Sequence, residues 1–172
     1  MTKKTTKILF VCHGNICRSP MAEFVMKYLV DEAAKNSDEI ARNYTFEIAS
    51  AAVSTEETGN DIYPPAKRTL RDHGIPFTRH SARQITRADY DYYDYIICAD
   101  ASNLRWLDRL IGSDTSHKIS LLMQWTDGQL VDGRLINDKY VNISDPWYTG
   151  DFETAYLDIW KGCNALLRRI IA

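Results

Sequence analysis

The sequence predicts a doubly wound α/β fold: one mostly four-stranded parallel sheet with helices on both faces. Three observations carry that expectation. Short apolar runs alternate with segments whose apolar residues recur at helical spacing, the β-α order of parallel sheets. The runs at 8–11 and 95–98 are continuous rather than alternating, as in strands buried on both faces. The 172 residues hold no linker, internal repeat or low-complexity stretch, so a single domain over residues 1–172 is expected.

The elements follow in order. Residues 8–11, Ile-Leu-Phe-Val, form the first strand. From Ser19 the period changes: Met21, Phe24, Val25, Tyr28 and Leu29 fall on one helical face, with Ser19 as a cap and Pro20 in the first turn. A second strand is expected at 44–49. A helix from about Pro65 to His73 ends at Gly74. Residues 95–98, Tyr-Ile-Ile-Cys, read as a buried strand, and the dense tyrosines at 90, 92, 93 and 95 as its alternating approach. Asp100 can cap a helix carrying Leu104, Leu107, Leu110 and Ile111, with Gly112 beyond it. A weaker strand spans 119–122. The stretch from Trp125 to Trp147 is rich in Asp, Gly and Asn and reads as a long loop. Phe152, Ala155, Tyr156, Ile159, Cys163, Leu166, Leu167 and Ile170 make a closing helix.

Composition excludes several classes of function. With 45% hydrophobic and 26% charged residues, the chain can bury a core and is not disordered. A net charge of −2 gives no basis for broad nucleic-acid or membrane binding. No apolar run approaches the ~18–20 residues of a membrane span, and the N-terminal run is too short for a signal-peptide core. A cytoplasmic location is expected. Cysteines stand at 12, 17, 98 and 163 and histidines at 13, 73, 80 and 117, without metal-ligand spacing. Neither a metal nor another cofactor is expected, nor a disulfide framework.

Open parallel sheets bind ligands at the carboxyl ends of their strands, so the residues after Val11 come first. They read Cys12, His13, Gly14, Asn15, Ile16, Cys17, Arg18, Ser19, Pro20. A nucleophile, an arginine six positions on and a helix N-terminus suit a phosphate dianion. Loop N–H groups and the helix dipole favour negative charge there. Arg18 can grip two oxygens with its planar fork. Gly14 and Asn15 tolerate the left-handed angles of a tight cradle. The same field favours a thiolate at Cys12, to which Ser19 can donate a hydrogen bond.

This stretch, Val11 to Glu23, resembles the signature of the low-molecular-weight protein tyrosine phosphatases. The resemblance continues through residues 50–54 (SAAVS), 73–75 (HGI), 82–86 (ARQIT), 95–100 (YIICAD), 102–104 (SNL), Asp145-Pro146 and 152–156 (FETAY). It implies that Cys12 attacks phosphorus to form a phosphocysteine, while Arg18 and the loop amides hold the oxygens. It makes Asp145 the general acid, then the base that activates water. Asn15, Ser50 and His73 would brace the loop by hydrogen bonds. Trp147 and Tyr148 would form an aromatic wall for the substrate ring. Cys17 would trap an oxidised Cys12 as a disulfide, with a buried structural thiol as the alternative; Cys98 and Cys163 read as core residues. The implied partners are a phosphotyrosine-bearing protein, a bacterial tyrosine kinase among the candidates, and inorganic phosphate or a similar oxyanion in the loop.

Two departures bear on specificity. His13 stands where the family often has an apolar or small residue, and Thr55-Glu-Glu-Thr58 where it commonly has an aromatic one. Three rival functions remain. An arsenate reductase would need a mobile, closely spaced cysteine pair, which Cys98 and Cys163 do not supply. In a protein arginine phosphatase the position of Ile16 resembles a threonine that tolerates a guanidinium substrate, and the bulkier isoleucine points to tyrosine. A non-enzymatic oxyanion or redox sensor would have no use for a proton donor at Asp145.

Overall fold

The computed structural model describes residues 2–127, 129–131, 134–136 and 141–172. Its main sheet is four-stranded and parallel throughout, in the order β2-β1-β3-β4: β1 Lys4–Cys12, β2 Tyr44–Ala52, β3 Tyr95–Cys98 and β4 Ile119–Leu121. Helices α1 (Arg18–Asn36), α3 (Pro64–Asp72) and α8 (Phe152–Ile170) cover one face, and α4 (Arg87–Tyr92) and α5 (Ala101–Ile111) the other. Between them lie the short α2 (Asp38–Asn43), α6 (Gln124–Asp127) and α7 (Pro146–Thr149), and a two-stranded antiparallel ribbon of β5 (Gln129–Val131) and β6 (Arg134–Ile136). No helix among the described residues is long and apolar enough to cross a membrane.

Burial explains the continuous apolar runs. Ile8 and Phe10 face the α1/α8 layer, Leu9 and Val11 the α5 layer, and all four are at most 1% exposed. Burying a side chain of this size contributes roughly 1.5–3 kcal/mol. β1 outruns the expected 8–11 at both ends because β2 pairs with it along its whole length, from Lys4↔Tyr44 to Cys12↔Ala52. Since β2 lies on one side of β1 and β3 on the other, the chain reverses direction across the sheet at β1. The loop leaving β1 therefore sits at the switch point, where the two outgoing connections part and leave a crevice.

Several local expectations need correction. Ser19 does not cap α1: the helix starts at Arg18, Cys17 is its cap residue, and the Ser19 hydroxyl turns to Cys12 instead. The tyrosine run is not a strand approach. Thr86 and Asp89 form a reciprocal capping box that starts α4, so Tyr90 and Tyr92 are helical. The 125–147 stretch is not one loop, since α6, the ribbon and the start of α7 fall within it; residues 128, 132–133 and 137–140 lie outside the described residues. Asp100 does cap α5, in a capping box with Asn103.

Candidate active site

The loop between β1 and α1 is tied down along its length. Val53 N–H donates to the Cys12 carbonyl (3.0 Å) and Ser54 N–H to that of His13 (3.1 Å), carrying the β2 pairing past the end of the sheet. Asn15 takes φ 61°, the left-handed region that Asn tolerates better than most residues. Gly14 has no positive φ. A Cβ there would lie 3.4 Å from Glu57 Cγ, an ordinary van der Waals contact.

Asn15 is fully buried and its side chain organises the loop. Nδ2 donates to Ser19 Oγ (2.8 Å) and Ser50 Oγ (2.9 Å), while Oδ1 accepts from Arg83 N–H (3.2 Å). Ser50 passes its own proton to Glu23 Oε2 (2.5 Å), and Glu23 is paired with Lys27 (2.6 Å). Ser19 Oγ, which accepts from Asn15, lies 3.0 Å from Cys12 Sγ and 3.4 Å from the Ala51 carbonyl. Asn15 N–H also donates to Cys12 Sγ, at 3.3 Å. A backbone N–H and a hydroxyl thus converge on a sulfur that is 3% exposed at the floor of a cleft.

His73 does not brace this loop. Its Nε2 contacts the Glu153 carboxylate at 2.9 Å, and its ring stacks on Tyr156 at 3.8 Å, away from Asn15. The bracing histidine is His80, whose Nε2 meets the Asn15 carbonyl at 2.7 Å. Its own backbone N–H donates to Asp61. Nothing in the spacing around 80 marks it, because its partner is a backbone oxygen 65 positions away.

Arg18 is buried and held by the ends of other elements. Nη1 donates to Asp100 Oδ2 (2.7 Å) and the Ile143 carbonyl (2.9 Å), and Nη2 to Asp145 Oδ2 (3.2 Å). Burial opposes its charge, but Cys12, Asp145 and Asp100 outweigh that and raise its pKa above the ordinary value. Asp100 was expected only as a helix cap; it also fixes the guanidinium plane. Asp145 sits before α7, accepting from Trp147 N–H (3.1 Å).

The cleft above Cys12 brings together most of the expected site residues. His13, Gly14, Ile16, Cys17 and Arg18 line it from the loop, and Asp145, Trp147 and Tyr148 from α7. Trp147 and Tyr148 are exposed, at 52% and 85%, and Trp147 leans on Tyr63 at 4.9 Å. Asn15, Ser19 and Ser50 lie behind the loop and His73 lies elsewhere. Glu56 and Glu57 complete the opposite wall. Cys17 is a free thiol whose pKa is driven up by burial and by the nearby Cys12 and Asp145. Among the described residues no group of three or more His, Cys, Asp or Glu is placed to hold a metal ion.

The model of one protein family, described as low molecular weight phosphotyrosine protein phosphatase, matches residues 7–172. The chain belongs to that family. A relative of that name from Pongo abelii is 40% identical over 98% of this chain and 99% of its own length. Among solved structures, YfkJ from Bacillus subtilis superposes with a TM-score of 0.79 at 34% identity, covering 98% of this chain and 96% of that one. A low molecular weight protein tyrosine phosphatase from Streptococcus pyogenes, SP-PTP, gives 0.76 at 36% identity, with 97% and 94% covered.

Proposed function

We propose that this protein hydrolyses phosphotyrosine on proteins through a phosphocysteine intermediate, with no metal or other cofactor. The observation that carries the reading is the hydroxyl and N–H that converge on Cys12 Sγ at the floor of a cleft that Arg18 and Asp145 also line.

A phosphate dianion entering the loop competes with Asp145 for Arg18 Nη2. Nη1 stays locked on Asp100 and Ile143, so the guanidinium keeps its plane while one edge turns to the phosphate oxygens. The Cys12 thiolate attacks phosphorus in line with the aryl oxygen. The P–S bond forms as the P–O bond breaks, and Asp145, as the carboxylic acid, gives its proton to the departing phenolate. In the second half Asp145 takes a proton from water, the water oxygen attacks phosphorus, and the P–S bond breaks. Inorganic phosphate leaves and the thiolate returns. Arg18 and the loop amides hold the equatorial charge in both halves. Trp147 and Tyr148 offer faces against which an aromatic leaving group can lie.

The rivals fit less well. Cys98 and Cys163 are fully buried in the core, out of reach of a thiol relay. A pure oxyanion binder or redox sensor leaves Asp145 without a task. Ile16, packed beside Cys17 and Ala82, keeps its branched bulk at the site where an arginine phosphatase would have threonine. The test is Cys12→Ser, assayed with a phosphotyrosine peptide and with inorganic phosphate binding. Turnover should vanish while phosphate still binds; full retained turnover would remove the covalent mechanism. A tyrosine kinase as the physiological target, and a cytoplasmic site of action, are part of the same reading.

A further inference from the structure

We propose that Glu56 and Glu57 read the charge beside the phosphotyrosine, and that the protein selects substrates with Lys or Arg flanking that residue. The proposal rests on the phosphotyrosine reading and names its substrate class more narrowly.

The observation is an electrostatic mismatch within one cleft. Its floor is built for a dianion, yet two carboxylates stand in its wall facing Trp147 and Tyr148. Both are held in place. Glu57 lies over the loop, its Cγ in van der Waals reach of the space left by the missing Gly14 side chain. Its Oε2 accepts from Asn60 Nδ2 at 2.6 Å, a neutral donor that orients the carboxylate without cancelling its charge. Glu56 Oε2 meets His13 Nε2 at 3.1 Å, and the His13 ring rests edge-on against Trp106 at 6.0 Å. Among the described residues neither carboxylate is paired with a lysine or arginine, so no fixed cation offsets this wall.

Fixed carboxylates here oppose a phosphate that arrives alone or among acidic residues. A cation beside the phosphotyrosine reverses the sign of that interaction. The bound ring must lie between the two walls, so the peptide on either side of it crosses the rim where Glu56 and Glu57 sit. Partly exposed pairs of this kind are each worth roughly a two- to fivefold change in affinity. With two carboxylates, a preference of about fivefold or more between a basic and an acidic peptide is expected in kcat/KM.

The experiment uses three phosphotyrosine peptides that differ only in flanking Lys, Ala or Glu, with kcat/KM measured for wild type, Glu56→Gln, Glu57→Gln and the double variant. Glutamine keeps an acceptor for Asn60 and for His13, so the loop's contacts survive while the charge goes. Wild type should rank Lys over Ala over Glu, and the double variant should flatten the series. The wild-type preference should also shrink between low salt and about 1 M salt, where the screening length falls to ~3 Å; this arm needs no variant to fold. Equal rates for the three peptides, a ranking unchanged in the double variant, or a preference indifferent to salt would each overturn the proposal while leaving the phosphatase reading intact. Failure to hydrolyse any of the peptides would overturn both.

Discussion

Asn15 offers a quantitative test of how the loop is held. Asn15→Ala removes three side-chain hydrogen bonds, to Ser19, to Ser50 and from Arg83 N–H, and places alanine at φ 61°. Each hydrogen bond contributes about 1 kcal/mol, and the left-handed conformation costs alanine about 1 kcal/mol more than asparagine, which tolerates it. The loss should total about 4 kcal/mol, a large share of the ~5–15 kcal/mol that holds a folded protein together. The melting temperature should fall by about 8–16 °C for a chain of this length. Asn15→Gly separates the two causes, since glycine accepts φ 61° but restores none of the hydrogen bonds. It should recover about 1 kcal/mol of stability and almost none of the turnover, because Ser19 would still be free to swing from Cys12. Urea unfolding with parallel aryl phosphate kinetics reads both quantities. If Asn15→Ala unfolds within about 0.5 kcal/mol of wild type with kcat unchanged, the account of the loop is wrong. If alanine and glycine prove equal, the backbone part of it is wrong.

Three further outcomes are expected. Asp145→Asn should slow poor aryl leaving groups by roughly 10²–10⁴-fold and activated ones far less; equal losses across a leaving-group series would take Asp145 out of the acid role. Gly162→Ala in α8 places a Cβ 2.5 Å from Leu122 Cγ, which is buried, so overpacking of about 1–3 kcal/mol should outweigh the ~1 kcal/mol that alanine gains as a helix former. Calorimetry should show a lower melting temperature, and a rise would mean that Leu122 moves aside freely. Asp61 has its pKa lowered to about 2, chiefly by Lys67 and also by the N–H groups of His80 and Ile62. A carboxylate depressed on folding stabilises above its unfolded value of ~4, and that contribution is lost as pH falls toward 2. Asp61→Asn should flatten this limb of the stability–pH curve, read by unfolding at stepped acid pH.

The chemistry-bearing loop was legible because its parts are contiguous. Cysteine, tight turn, arginine and helix start all fall within residues 12–20, and each has a local reason to be there. β1 and β3 were legible because burial on both faces leaves continuous apolar runs, whereas β2, at the sheet edge, begins with alternating burial. What was misread has a common physical cause. Ser19 looks like a helix cap when only its neighbours are considered, but a thiol brought alongside by β1 offers its hydroxyl another partner. His73 and His80 are indistinguishable by spacing, and only folding places one beside Asn15 and the other on Tyr156. The tyrosine run has strand-forming composition, yet the Thr86–Asp89 box starts a helix ahead of it.

The order of elements, the reactive loop and the class of reaction expected of it follow from short-range pattern, since period, turn chemistry and helix-end polarity act over a few residues. Which residues stand around that loop does not. Asp100, Ile143 and Asp145 reach Arg18 from 82 to 127 positions away, and Glu56 and Glu57 line the cleft from beyond the end of β2. Contacts of that kind depend on how strands align and helices pack, and no stretch of chain encodes them alone.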